Sequence, residues 1–303
     1  MRIVIIGQAA FGEKTLEALL EMGEEAVGVY MPPDTAGRET TFKQRALQLG
    51  APVFQPERMR SPEVYDSYVK LKPDLNVMAF VTDIVPESVL KYPELGTIQY
   101  HPSLLPRHRG GNAINWAVIN GETMTGLTIF WPDKGIDTGP ILLQKEVDIA
   151  PDDTVGSLYF NKLFPLGIEA IKESVELIRQ GKASRIPQDE AQATYESLCT
   201  QAVIDWNQPA PDIYNLIRGT NPQPGATTSY GSSKFIIFDS ELRTGEVKGL
   251  PGEIIEIAES GFLVAAPGGA ILVKRVQPAG SPKIAAADFI AQSGLTPGDY
   301  LGE

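Results

Sequence analysis

The chain is poor in the residues that hold metals and disulfides. Among 303 residues there is one cysteine, Cys199, and there are two histidines, His101 and His108. A single cysteine excludes an internal disulfide and fits a reducing compartment. Two histidines leave little room for a His-rich metal site, so only a carboxylate-based one stays open. Positive charge is also scarce: 26 Lys and Arg stand against 38 Asp and Glu, a net charge of −12. That balance argues against a broad nucleic-acid surface, because phosphate affinity comes mainly from Lys and Arg, although a local basic patch stays open. No apolar run approaches about 18 residues, the length that would suggest a membrane helix. The opening Met-Arg-Ile-Val-Ile-Ile-Gly shows neither a basic n-region nor a small-residue cleavage pattern, so the chain reads as cytoplasmic and soluble.

What is present is a regular alternation. The hydrophobic content of 43% fits a folded protein, and the length allows one large domain or two moderate ones at roughly 100–200 residues each. Apolar runs predict strands at 2–6, 26–30, 52–54, 75–80, 97–100, 127–131 and 141–147. Helical spacing predicts helices at 15–22, 41–49, 62–71, 86–92 and 112–120. Strands separated by helices imply an α/β fold with a mostly parallel sheet covered on both faces and a site at the carboxyl ends of its strands. Asp152, Asp153 and Thr154 then precede a long helical pattern that reaches Arg179, with Gly181 as its stop. Residues 182–200 are polar, contain Pro187 and follow no clear period, as a linker would. Beyond them come a helix at 211–218 and β-rich runs at 233–238, 252–258, 261–266 and 270–276, which fit a small, partly closed barrel. The expected division is a catalytic domain at 1–181, a linker at 182–200 and a barrel domain at 201–303.

Both histidines fall within eight residues directly after a predicted strand. Loops there usually carry the reactive groups of an α/β protein, though an imidazole can equally be structural. Asp137, in Gly135-Ile-Asp-Thr-Gly139, is the candidate partner: a carboxylate can fix an imidazole tautomer, and flanking glycines let the backbone turn or approach a ligand. An Asx-type turn accounts for the same residue types. Gly7-Gln-Ala-Ala-Phe-Gly12 matches neither a dinucleotide fingerprint nor a Walker lysine motif and reads as a tight strand-to-helix turn. Arg107 and Arg109 are either anion ligands or solvated loop charges. Cys199 reads as structural or incidental, and Trp116 and Trp131 as core residues.

The string His101-Pro-Ser-Leu-Leu-Pro-Arg-His-Arg-Gly110, followed by Ala113-Ile-Asn-Trp116 and Gly135-Ile-Asp-Thr-Gly139, resembles the formyltransferase family that uses 10-formyltetrahydrofolate. Within that family the chain is most similar to the N-terminal hydrolase domain of 10-formyltetrahydrofolate dehydrogenase, and it is also similar to methionyl-tRNA formyltransferase. The likeness runs from Ile5-Ile-Gly-Gln8 through Leu75-Asn-Val77, Gln144-Lys-Glu146 and Asp152-Asp-Thr154 to Ile217-Arg-Gly219, nearly the whole chain. It implies a Rossmann-like formyl-transfer domain followed by an OB-like barrel. It also implies that His101 transfers the proton with Asp137 as its carboxylate partner. The family's folate-contacting stretches fall on Asp83, Ile84 and Val85 and on Ser103, Leu104, Leu105 and Pro106, where backbone amides and apolar side chains would hold the pterin.

Two departures bear on the acceptor. Amine-formylating members resemble each other in carrying asparagine where this chain has Gln99, while the hydrolase domain carries an apolar residue. An amide there can donate to the oxyanion, and losing such a donor costs about 10²–10³ in rate. The loop that resembles a lysine-rich insert in tRNA-formylating members has Ala36, Gly37 and Arg38 followed by Glu39 and Thr40, and residues 201–303 hold seven basic against eleven acidic side chains. The resemblance thus implies a one-carbon enzyme that passes the formyl group of 10-formyltetrahydrofolate to water or a small amine, releasing tetrahydrofolate. Methionyl-tRNA, which would need phosphate contacts, and amino-sugar nucleotides are the alternative acceptors. A folate-binding module of weak activity is the alternative class. No metal is required, and no NADP-dependent oxidation is expected, because the dehydrogenase would need further domains beyond Glu303.

Overall fold

The computed structural model describes residues 1–34 and 39–302. Ala36, Gly37 and Arg38 of the lysine-poor loop therefore lie outside the described residues. In chain order the first part forms β1 (Arg2–Gly7), α1 (Ala9–Glu21), β2 (Glu25–Tyr30), α2 (Thr41–Gln48), β3 (Val53–Phe54), α3 (Pro62–Tyr68), β4 (Leu75–Ala79), α4 (Glu87–Leu90) and β5 (Thr97–His101). It continues with β6 (Arg109–Gly110), α5 (Ala113–Ile119), β7 (Met124–Phe130), β8 (Ile141–Asp148), α6 (Val155–Leu158), α7 (Phe164–Arg179) and β9 (Tyr195–Glu196). The remainder forms β10 (Ala202–Val203), α8 (Ala210–Gly219), β11 (Ala226–Tyr230), β12 (Ser233–Thr244), β13 (Ile254–Ala258), β14 (Gly261–Ala266), β15 (Gly269–Pro278), β16 (Ile284–Ala285) and α9 (Ala286–Ser293).

Two compact units result. The first holds Met1–Gly110, Gly126–Val147 and Asn161–Tyr195; the second holds Gly111–Thr125, Asp148–Phe160 and Glu196–Glu303. The first is the expected Rossmann-like α/β unit, with a seven-stranded sheet in the order β3-β2-β1-β4-β5-β7-β8. The five strands from β3 to β5 run parallel and β7 pairs antiparallel with β5. Every residue of β4 is buried, as is β1 from Ile3 onward, so both faces of the central strands are covered. That is why β1 reads as a continuous Val and Ile run and not as alternation. Residue 7, the last of β1, is glycine because a Cβ there would lie 2.4 Å from the Ala79 carbonyl oxygen on the neighbouring strand. The strand order reverses between β1 and β4, which makes a crevice outside their carboxyl ends.

The long helix expected up to Arg179 is divided. Thr154 caps α6 by accepting from Ser157 N at 3.1 Å while its own N–H donates to Ser157 Oγ. A π-helical turn, Tyr159–Leu163, then separates α6 from α7. Pro165 supplies the reason: it has no N–H to donate to the preceding turn, so the regular ladder restarts with proline at a helix start. Gly181 closes α7 in the left-handed region, as expected.

In the second unit β10-β11-β12-β15-β14-β13 form one sheet with β16 beside β15. All of these pairs are antiparallel except β10 with β11, which agrees with the OB-like expectation. Its core gathers Ile217, Phe235, Ile237, Phe262, Val264 and Phe289. Among the described residues no helix is long and apolar enough to cross a membrane.

Candidate active site

Strand alternation places Thr97, Gln99 and His101 on one face of β5. His101 is the last residue of the strand and is buried, directly across the ladder from Thr128 of β7. Its Nε2 lies 2.8 Å from the main-chain oxygen of His108. A carbonyl can only accept, so Nε2 carries the hydrogen and Nδ1 holds the lone pair of the neutral ring. Nδ1 faces Asp137 Oδ2 at 3.5 Å, an ion-pair distance once the ring is charged and long for a hydrogen bond. Asp137 Oδ2 also accepts from Gly110 N at 2.7 Å. The first residue of the signature string, its last, and the aspartate of the second motif therefore meet at one point.

Backbone conformation at this point is unusual. His108 and Asp137 both have φ of 55°, in the left-handed region that costs a non-glycine residue roughly 1–2 kcal/mol. The glycines around Asp137 do something other than supply that conformation. A Cβ on Gly139 would lie 1.7 Å from the Trp131 oxygen, and one on Gly135 would lie 2.1 Å from Thr138 Oγ1. They are small because the loop folds tightly on itself, while Asp137 takes the strained turn.

The loop after His101 is held by Thr128. Thr128 Oγ1 donates to Ser103 O at 2.7 Å and accepts from Leu105 N at 3.1 Å and from Gln144 Nε2 at 2.9 Å. Gln144 Nε2 also donates to Leu105 O at 2.9 Å, and Ser103 Oγ donates to Arg107 O at 2.7 Å. Pro106 O accepts from Thr194 N at 3.2 Å. These backbone groups of the 103–106 stretch are thus engaged within the protein. Leu105 is buried and Leu104 half-buried, with its side chain against Gly126.

Of the other predicted folate stretch, Asp83 spends its carboxylate on the main chain, accepting from Met59 N at 2.7 Å and from Ile84 N at 2.8 Å. Val85 is buried in the core of this unit, whereas Ile84 is 72% exposed. A cavity of about 280 Å³ sits at the strand-order reversal, lined by Gly7, Gln8, Tyr30, Arg58, Phe80 and Asp83 among others. It takes in one predicted folate residue but neither His101 nor Asp137.

A family model described as "Formyl transferase" matches residues 1–170, and one described as "Formyl transferase, C-terminal domain" matches residues 199–294. The chain belongs to the formyltransferase family. Methionyl-tRNA formyltransferase of Alkaliphilus oremlandii (strain OhILAs) is 36% identical over 311 residues, covering 100% of both chains. Cytosolic 10-formyltetrahydrofolate dehydrogenase of Mus musculus is 45% identical over 265 residues, which is 83% of this chain but 29% of the mouse protein. Among solved structures, an N-formyltransferase from Helicobacter canadensis, in complex with folinic acid and dTDP-3-aminofucose, superposes with a TM-score of 0.71 at 21% identity over 92% of this chain and 99% of that one. HypX from Aquifex aeolicus in complex with tetrahydrofolic acid gives 0.69 at 20% identity over 96% of this chain and 47% of that one. At these identities the two structures show a shared fold.

In this formyltransferase-family chain, Gln99 is half-buried, two residues before His101, and its side-chain amide makes no hydrogen bond with the described residues. Arg109, left open between anion ligand and solvated charge, is neither: it is fully buried and engaged by protein groups. Its guanidinium donates to Gln188 Oε1 at 3.0 and 2.8 Å, to Glu190 at 2.9 and 2.6 Å, and to Tyr195 OH at 2.7 Å. Glu190 holds Arg109 further above the ordinary arginine value, and the same bonds lower the Glu190 carboxyl. Thr194 accepts from His108 N through Oγ1 at 2.8 Å and from Arg109 N through its carbonyl at 2.9 Å. Sequence reasoning missed Gln188, Glu190, Thr194 and Tyr195, all in the polar stretch read as a linker. The signal available was the cluster Gln188-Asp-Glu190 ahead of aromatic Tyr195, which no periodicity picks out. Cys199 is partly buried, which raises its thiol, and Trp131 is a core residue whose ring stacks under Arg185.

Proposed function

We propose that this chain is a one-carbon enzyme that moves the formyl group of 10-formyltetrahydrofolate to water or a small amine and releases tetrahydrofolate. The observation that carries the reading is the His101 ring held between the His108 carbonyl and the Asp137 carboxylate. Fixing the hydrogen on Nε2 leaves Nδ1 as the basic nitrogen. Nδ1 takes a proton from the attacking water or amine as the nucleophile bonds to the formyl carbon. The imidazolium so formed faces Asp137, which stabilises it. As the bond between that carbon and N10 breaks, the proton passes to N10. Atoms and protons balance without a metal or NADP. The unengaged Gln99 amide is the donor assigned to the oxyanion. Ile84 and Leu104 would supply apolar wall to the pterin, with Asp83, Val85, Ser103, Leu105 and Pro106 shaping the two loops. Residues 1–181 would act as the catalytic domain and 201–303 as the barrel domain, joined by 182–200.

Full-length coverage by a methionyl-tRNA formyltransferase makes an aminoacyl-tRNA acceptor the second reading. The test is to incubate the protein with 10-formyltetrahydrofolate and follow formate and tetrahydrofolate, first alone, then with methionyl-tRNA or with an amino-sugar nucleotide. Formate release without acceptor, or formylation of a small amine, supports the reading. Turnover confined to methionyl-tRNA gives the second reading, and saturable folate binding with no turnover in any arm leaves a binding module. His101→Ala should lower turnover by about 10²–10⁴, the usual worth of general acid–base catalysis, with the fold retained.

A further inference from the structure

We infer that Gln188 is a positioning residue for the reaction: its amide clamps the loop that carries Asp137 and so sets the carboxylate against His101. The inference rests on the formyl-transfer reading of this site and adds a residue to its machinery.

Every hydrogen-bonding capacity of the Gln188 amide is used, on three residues of two loops. Oε1 accepts twice from the Arg109 guanidinium, at 3.0 and 2.8 Å. Nε2 donates to Asp137 O at 2.8 Å and to Gly139 O at 2.7 Å. One side chain therefore ties the loop that follows His101, through Arg109, to the loop that carries Asp137. Neither end is free to drift. Arg109 is fully buried, its guanidinium paired with Glu190 in bidentate fashion, and its backbone N–H is held by Thr194. On the other side, Asp137 sits in the left-handed region, which non-glycine residues occupy only where surrounding contacts over-determine it. Gly110 N holds its side chain, and the Gln188 amide holds its main chain and that of Gly139. Without the amide, the strained turn loses two of the bonds that fix it, and the 3.5 Å approach of Oδ2 to His101 Nδ1 is the distance that opens.

Gln188→Glu is the informative variant, since it keeps the size of the side chain and an oxygen for Arg109 but replaces both donors with an acceptor facing two carbonyls. Gln188→Met, which removes the donors without adding charge, serves the same comparison where the first variant does not fold. Two readouts are taken on the full chain. The first is the ¹⁵N spectrum of the imidazoles; with two histidines in the chain, His101 is assigned by substituting His108. The second is kcat and KM for 10-formyltetrahydrofolate. Expected are ¹⁵N signals of His101 displaced from wild type, and kcat lowered by about 10²-fold with KM unchanged, the loss that a shift of about 1 Å produces. Wild-type ring signals in a folded variant overturn the inference, whatever happens to kcat, because a purely structural role would leave the His101 environment intact. The ring spectrum needs no turnover. Wild-type protein that fails to consume 10-formyltetrahydrofolate therefore overturns the formyl-transfer reading alone, and the displaced or unchanged signals still decide the placement of Asp137.

Discussion

Gln99 and His101 stand two residues apart on one strand, and the proposed reaction gives each a part. Strand alternation gives them the same face, so the His101 ring and the Gln99 amide project to the same side of the sheet. The amide has no hydrogen-bond partner among the described residues, which is costly for a half-buried polar group unless a ligand or water takes it up. Gln99→Leu keeps the bulk and removes the donor. Its kcat is expected to fall by about 10²–10³, the loss typical of one oxyanion-hole donor, while its melting temperature stays at or above wild type. Wild-type kcat in the leucine variant would transfer the oxyanion role to a backbone N–H. Asp137 poses the complementary case: its flanking glycines read as the residues that let the backbone turn, yet the aspartate itself adopts the left-handed conformation and the glycines are needed for close approach within the loop. Composition marks a turn, but it does not say which residue bears its strain.

At the scale of elements, segment 188–195 acts as a clasp on the site loops, and its outermost link is an ion pair. The Arg109 hydrogen bonds lower the Glu190 carboxyl relative to an ordinary glutamate. A group depressed in the folded state contributes stability above its unfolded value and loses it as pH falls through the glutamate range towards the lowered one. Urea midpoints of wild type and Glu190→Gln should therefore differ at neutral pH and converge under acid conditions. Because Glu190 is 68% exposed, solvent screens the pair and the neutral-pH difference is small. A difference that persisted at low pH would mean that the glutamine disturbs packing and not charge. This clasp also marks the limit of what the sequence discloses. Strand β1 is legible because a central parallel strand covered on both faces is a continuous apolar run. His101 is legible because histidine is rare in this chain, and Asp137 because it stands between the glycines of Gly135-Ile-Asp-Thr-Gly139. The clasp is not, since Gln188, Glu190 and Tyr195 reach Arg109 across 79 to 86 residues and sit in a polar stretch without a period. Nor is the break before α7 disclosed by hydrophobic spacing, which runs through Pro165 undisturbed. β11, Ala-Thr-Thr-Ser-Tyr, escapes notice for the opposite reason: its stability comes from pairing with β12, not from an apolar run.

For the whole molecule the deciding quantity is charge. A chain of net charge −12, with more acid than base beyond residue 200, repels a polyanion except where a local basic patch overrides it. Several of the basic residues of the barrel unit are already spoken for: Lys274 and Arg243 pair with Glu241, Arg275 lies near Asp239, and Arg218 is buried with its guanidinium on main-chain carbonyls. Such pairing weakens the field those cations present to phosphate. A tRNA held through 6–10 phosphate contacts would lose about 10³–10⁵ in affinity between 50 and 200 mM salt. Formate release from 10-formyltetrahydrofolate, whose small anionic substrate makes few charge contacts, should instead change less than about tenfold over the same range. Filter binding of methionyl-tRNA at 50 mM salt should show only weak retention. Tight retention that collapses steeply with salt, alongside formylation of the bound methionine, would show that a cationic path exists despite the overall charge and would move the acceptor from water or a small amine to tRNA.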